Sequence, residues 1–154
     1  MSEEKPYIDF NMNLIDELKE RYENNLVFIA EGLPCGVNFN SPKQIREVLG
    51  KRLDITAENV KIEALERYRD LYDHDSEAFD FMNGLVLFLK TKYTLNNYIN
   101  CILKHNENGR VYLRHERGEW LLPNKRPLTE SPEIRECITA SHIPKRRRTN
   151  YGRN

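Results

Sequence analysis

The sequence predicts a mainly α (α+β) fold: two long antiparallel helices with two short tip helices between them, then a short β-hairpin and an irregular basic tail. Three observations carry this reading. Apolar residues recur at three- and four-residue steps over two long stretches, Asn11 to Glu31 and Glu77 to His105. Between them, Ser41-Pro42-Lys43-Gln44 spells out a complete helix start. Behind them, Arg110 to Glu116 changes to alternation, the period of a strand.

In the first stretch Leu14, Ile15, Leu18, Tyr22, Leu26 and Ile29 form one stripe, and Gly32-Leu33-Pro34 stops the helix as Gly past a helix end and a following Pro do. At the second helix Ser41 serves as N-cap, Pro42 stands where no N–H is needed, and Gln44 reaches back to close a capping box. Ile45, Val48, Leu49 and Leu53 share one face, and the helix runs out near Leu53-Asp54. Its N-terminus, with free N–H groups and Lys43, suits an anion such as phosphate. Thr56-Ala57-Glu58 reads as the next helix start, with Val60, Leu65, Tyr68 and Tyr72 behind it.

Ser76 caps the last long helix, along which Phe79, Met82, Val86, Leu89, Tyr93, Asn96, Ile99 and Leu103 track one side. Leu18, Tyr22 and Leu26 are expected to pack against Val86, Leu89 and Tyr93. Asn106-Glu107-Asn108-Gly109 makes a turn, and Arg117-Gly118-Glu119 closes a hairpin onto Trp120-Leu121-Leu122. Pro123, Pro127, Pro132 and Pro144 break up the remainder, leaving one helical turn near Glu133 to Cys137. The expected division is a helical domain over 1–105 and a hairpin with irregular basic tail over 106–154.

With 154 residues, 39% apolar and 31% charged, the chain holds one domain's worth of core in a charge-rich, soluble helical protein. The net charge of zero conceals an asymmetry: residues 1–80 carry 10 Lys+Arg against 18 Asp+Glu, and residues 81–154 carry 14 against 6. A polyanion would therefore meet chiefly the later residues, although oppositely charged halves also attract one another. Cys35, Cys101 and Cys137 are odd in number and lack metal-ligand spacing, so free thiols in a reducing, cytoplasmic compartment are expected. No apolar run approaches a membrane span, and no membrane partner is expected. There is no P-loop, no G-x-S-x-G and no Cys/His cluster, so neither catalytic residues, nor a metal, nor a cofactor is expected. Glu17/Arg21 and Glu63/Arg67 read as surface pairs of helices.

Phe39-Asn40-Ser41-Pro42-Lys43-Gln44-Ile45, followed by Glu47-Val48-Leu49, resembles the FN-x-NSPKQL-x-x-(V/I)L signature in the thumb of family A DNA polymerases, the DNA polymerase I family. Further on, Leu89-Lys90-Thr91-Lys92-Tyr93 with Asn97-Tyr98 and Leu103 is similar to that family's YR-x-L-x-KL-x-x-TY…L pattern. Asn108-Gly109-Arg110-Val111-Tyr112 is similar to its (D/T)GRVH, where the family's chain enters the palm. His142-Ile143-Pro144-Lys145-Arg146 with Tyr151-Gly152-Arg153 resembles its QNIP-(K/R)…GR-x-IR segment. Long helix, capped helix, short helix and long returning helix is also the family's thumb in sequence order.

The resemblance implies the thumb portion, running into the start of the palm, of a phage-type or divergent polymerase, as a fragment or split gene product. Its role would be to grip double-stranded primer–template in DNA replication. The DNA-binding residues it implies are Asn40, Ser41, Lys43 and Gln44 at the tip, Lys90 and Lys92 on the returning helix, Arg110 and Arg114 in the strand region, and the basic extension Lys145, Arg146, Arg147 and Arg148. The TGRLSS segment has only a loose echo in Asn124 to Ser131. The palm motifs DYS-x-(I/L)E and HDE and the Lys-rich motif of the fingers are absent from the sequence, so no polymerisation by this chain alone is implied. The alternative expectation is a helical interaction module derived from a thumb, binding a separate palm-and-fingers polypeptide or a host replication factor.

Overall fold

A computed structural model describes residues 5–128 and 131–144. The fold is mainly α with a small antiparallel β component. In chain order it comprises β1 (Tyr7–Phe10), α1 (Met12–Glu31), α2 (Pro42–Leu53), α3 (Ile62–Arg69), α4 (Glu77–Thr94), a π-helical segment (Leu95–Ile99), α5 (Asn100–His105), β2 (Arg110–Tyr112), β3 (Arg114–Glu116), β4 (Glu119–Leu121), α6 (Pro132–Arg135) and β5 (Ile138–His142). Two compact units result, one from residues 21–95 and the other from residues 1–20 with 96–154. The division is thus not at residue 105. Residues 7–10 supply the middle strand of a sheet whose outer strands come from beyond residue 109, which ties the first residues to the later ones.

In the unit of residues 21–95 the core forms where α2, α3 and α4 bury one face each. Ile45 and Leu49 of α2, Leu65 of α3, and Met82, Leu85 and Val86 of α4 meet Leu33, Phe39 and Ala57 from the connections. The Phe39 and Phe88 rings lie 5.7 Å apart and extend this core to the start of α2. Two of the three expected caps form: Ser41 Oγ accepts from Gln44 N at 3.3 Å, and Ser76 Oγ accepts from Phe79 N at 3.1 Å. Asp54 ends α2 in the left-handed conformation, φ 54°, with its N–H returned to Leu49 O.

One local expectation is corrected here. Thr56 does not start α3, which begins at Ile62. Asn59 Oδ1 instead accepts from Lys61 N at 2.9 Å, and this side-chain turn defers the helix by one more turn of chain. Within the unit of residues 21–95, α4 takes α3 as its close helical neighbour. From α1 and its exit, Ile29 and Leu33 are the residues that reach the α2–α4 core.

In the other unit β1 lies between β2 and β5, antiparallel to both. Neither β1 nor β5 is among the elements expected from the sequence, and β5 falls in the stretch expected to be irregular. Ile8, Phe10 and Val111 turn to the buried face, and Ile15, Leu18, Ile99, Ile102, Leu122 and Ile134 are buried in the same unit. Asn11, expected as the first helical residue, is the cap of α1: its Oδ1 accepts from Asn13 N at 3.1 Å. The alternating segment after residue 109 divides at Leu113. Its first half joins β1, and its second half pairs with β4 across the Arg117-Gly118 turn, whose residues have φ 52° and 79°.

The run from Glu77 to His105 is helical throughout, with a π-helical turn that shifts its phase. Leu95, Ile99 and Ile102 are buried where the uninterrupted period had placed Asn96, Ile99 and Leu103. Within this turn Asn97 O accepts from Asn124 Nδ2 at 2.8 Å. Among the described residues no helix is long and apolar enough to cross a membrane.

Candidate nucleic-acid interface

The start of α2 is a preorganised turn. Asn38 O accepts from Ser41 N at 3.0 Å, and Asn38 Oδ1 accepts from Asn40 N at 2.9 Å. The expected reciprocal capping box is replaced by a wider one: Gln44 Oε1 passes Ser41 and accepts from Asn38 N at 2.8 Å. The physical reason is that Ser41 N is already bonded to Asn38 O, which leaves the Gln44 carbonyl to take the next donor back. Gln44 N goes to Ser41 Oγ, Ile45 N goes to Ser41 O, and Pro42 has no N–H. Lys43 N–H is then the donor left at the helix start without a protein acceptor among the described residues, and the Lys43 side chain is exposed beside it. Asn40 is exposed as well. An anion seated there would receive a backbone hydrogen bond, the helix dipole and an ammonium together.

The other sequence-expected contacts have partners inside the protein. Lys90 Nζ is ion-paired with Glu66 Oε2 of α3. Lys92 lies over the Phe88 ring, 5.8 Å from its centroid, one turn back on its own helix. Lys90 and Lys92 are two residues apart on α4 and point to different sides of it. Arg114 Nη2 pairs with Glu116 at 2.9 Å along β3. Lys145, Arg146, Arg147 and Arg148 lie outside the described residues. Asn40, Ser41, Lys43 and Gln44 are therefore the group that the fold brings together.

Arg110 is held by a carboxylate and a ring together. Its Nε and Nη2 donate to the two oxygens of Asp9, at 2.8 and 3.1 Å, across the β1–β2 register pair Asp9 with Arg110. Its Cζ stands 3.5 Å from the centroid of the Tyr7 ring. The Arg110 hydrogen bonds hold the Asp9 carboxyl below the usual carboxylate range, and the Asp9 carboxylate raises the Arg110 pKa in return. Neutralised by Asp9, Arg110 offers a phosphate little net charge. The residues missed in sequence are the two on β1 that hold it, Asp9 and Tyr7, and His142 of β5, whose ring lies 5.8 Å from that of Tyr7. The alternation Tyr7-Ile8-Asp9-Phe10, with Ile8 and Phe10 inward, was the available signal.

No family model, no curated protein and no solved structure matches this chain.

Proposed function

We propose that the chain is the thumb portion of a family A, phage-type DNA polymerase and grips primer–template duplex by its phosphates. The observation that carries this reading is the Phe39–Leu49 segment. It folds as a capped helix between two long ones, with Asn40 and Lys43 exposed and the Lys43 N–H uncommitted. A phosphate oxygen accepts from that N–H while the ammonium of the same residue neutralises it, a contact that fixes position on a duplex without reading sequence. The reading is tested by titrating duplex at several salt concentrations. Each phosphate contact contributes a slope of roughly 0.9 in log affinity against log salt, so Lys43→Gln flattens the slope by about that amount. Removing Lys145 to Arg148 removes several such units. Affinity independent of salt, or a slope unmoved by both changes, defeats the duplex-grip reading.

A second reading is supported by the apolar surface of the unit of residues 21–95. Val27 and Phe28, consecutive on α1, are 63% and 77% exposed, and Leu71 is 79% exposed. Large apolar groups of this kind mark protein contacts when they form a patch. In this reading the module binds a palm-and-fingers polypeptide or a replication factor. Phe28→Glu then abolishes that binding while leaving the salt slope on duplex unchanged.

A further inference from the structure

We propose that the exposed face of the β2-β1-β5 sheet is a stacking platform for unpaired nucleobases, a single-strand nucleic-acid site separate from the start of α2. It does not rest on the thumb reading. The register sets Tyr112, Tyr7 and His142 opposite one another, so the three rings form one row across all three strands. Tyr7 and Tyr112 meet edge to face at 6.4 Å, and Tyr7 and His142 lie 5.8 Å apart at 34°. The opposite face of the sheet is filled by Ile8, Phe10 and Val111, so these rings are not needed to build the core.

Arg110 completes the platform. A guanidinium carbon 3.5 Å from a ring centroid is at van der Waals distance, which a planar group reaches only by lying flat on the ring. Asp9 holds that plane in place with two hydrogen bonds. One side of the plane rests on Tyr7. The group is still 34% exposed and borders an open groove of about 490 Å³ lined also by Glu107, Asn108, Tyr112 and Thr139. Bases stack on aromatic rings and on Arg planes alike, and a base presents its face only when it is unpaired and unstacked. A duplex therefore does not satisfy this surface, and a single strand does.

The experiment measures binding of the full chain to a fluorescent oligothymidylate and to an abasic oligomer with the same number of phosphates. Stacking is worth roughly a 5- to 150-fold change in affinity per base, so the abasic strand binds at least about tenfold more weakly. Arg110→Lys keeps the charge but loses the plane, and it weakens oligothymidylate binding about fivefold or more while leaving the abasic strand unaffected. His142 is exposed on an outer strand, so His142→Ala folds normally and weakens binding severalfold. It carries the test should Arg110→Lys disturb the sheet. Equal affinity for the two oligomers, no binding of either, or a His142→Ala protein indistinguishable from the parent overturns the proposal.

Discussion

Gly109→Ala measures how strongly the turn between α5 and β2 constrains the sheet. Gly109 has φ 89°, and a Cβ built on it meets Phe10 O at 2.9 Å and Met12 Cγ at 3.6 Å. The same glycine's carbonyl accepts from Phe10 N at 2.8 Å, the bond that seats the end of β1 against the turn. Two costs follow. The left-handed conformation costs an alanine about 1–2 kcal/mol, and displacing the Phe10 peptide weakens a hydrogen bond worth about 0.5–1.5 kcal/mol. The sum is about 1.5–3.5 kcal/mol. Gly36 is the internal control, because it has φ 76° with nothing within 4 Å of its built Cβ, so Gly36→Ala bears the conformational cost alone. Trp120 is the single tryptophan and lies in the same unit as Gly109, so urea unfolding followed by its fluorescence reads that unit. Far-UV circular dichroism follows the helical unit that holds Gly36. Equal costs for the two substitutions would refute the close approach of Phe10, and a Gly109→Ala protein within about 0.5 kcal/mol of the parent would refute both terms.

Ser41→Ala and Ser76→Ala each lower stability by about 1 kcal/mol through loss of a cap, read by thermal unfolding; a change below a few tenths for both contradicts the capping geometry. Asp9 contributes stability that is fully present above the ordinary carboxylate pKa and is lost as pH falls through its lowered folded-state value. Asp9→Asn accordingly flattens the acid limb of a Trp120-monitored pH titration, and an unchanged limb sinks the assignment. Cys35 is exposed, whereas Cys101 and Cys137 are buried and burial pushes the Cys101 thiol up. One thiol therefore reacts rapidly with an aromatic disulfide reagent, and three react after unfolding. With no palm motif in the sequence, purified protein with Mg²⁺ and primer–template yields no template-dependent extension product.

What was legible in the sequence is what a few neighbouring residues decide by themselves. The Ser41 and Ser76 starts, the Asp54 stop, the Asn106–Gly109 turn and the helical turn after Ser131 each depend on contacts spanning three to five positions. The two missed strands depend on partners more than a hundred residues away. Four residues at β1 carry too little pattern to announce a strand until β2 and β5 bracket them. The start of α3 failed for a different reason. Thr56 is a sound cap in isolation, but Asn59 offers the backbone a competing turn, and the chain takes it.

The same distinction decides how the candidate contacts came out. Lys43 stands where its neighbours in sequence put it, so its exposure and its open N–H follow from local chemistry. Arg110 was read as one more cation for phosphate because the sequence around it holds no carboxylate placed to neutralise it in a strand. The carboxylate comes from Asp9, across a register pair that exists only once residues 7–10 enter the sheet. That pairing removes most of Arg110's value as a charge, and it fixes the group flat on Tyr7. A loose Arg on a strand end meets phosphates wherever they come; a clamped one presents a plane in a single orientation. The geometry thus exchanges a salt-dependent contact for one that discriminates by the face of a base, which is why Arg110→Lys, neutral for the first role, is diagnostic of the second.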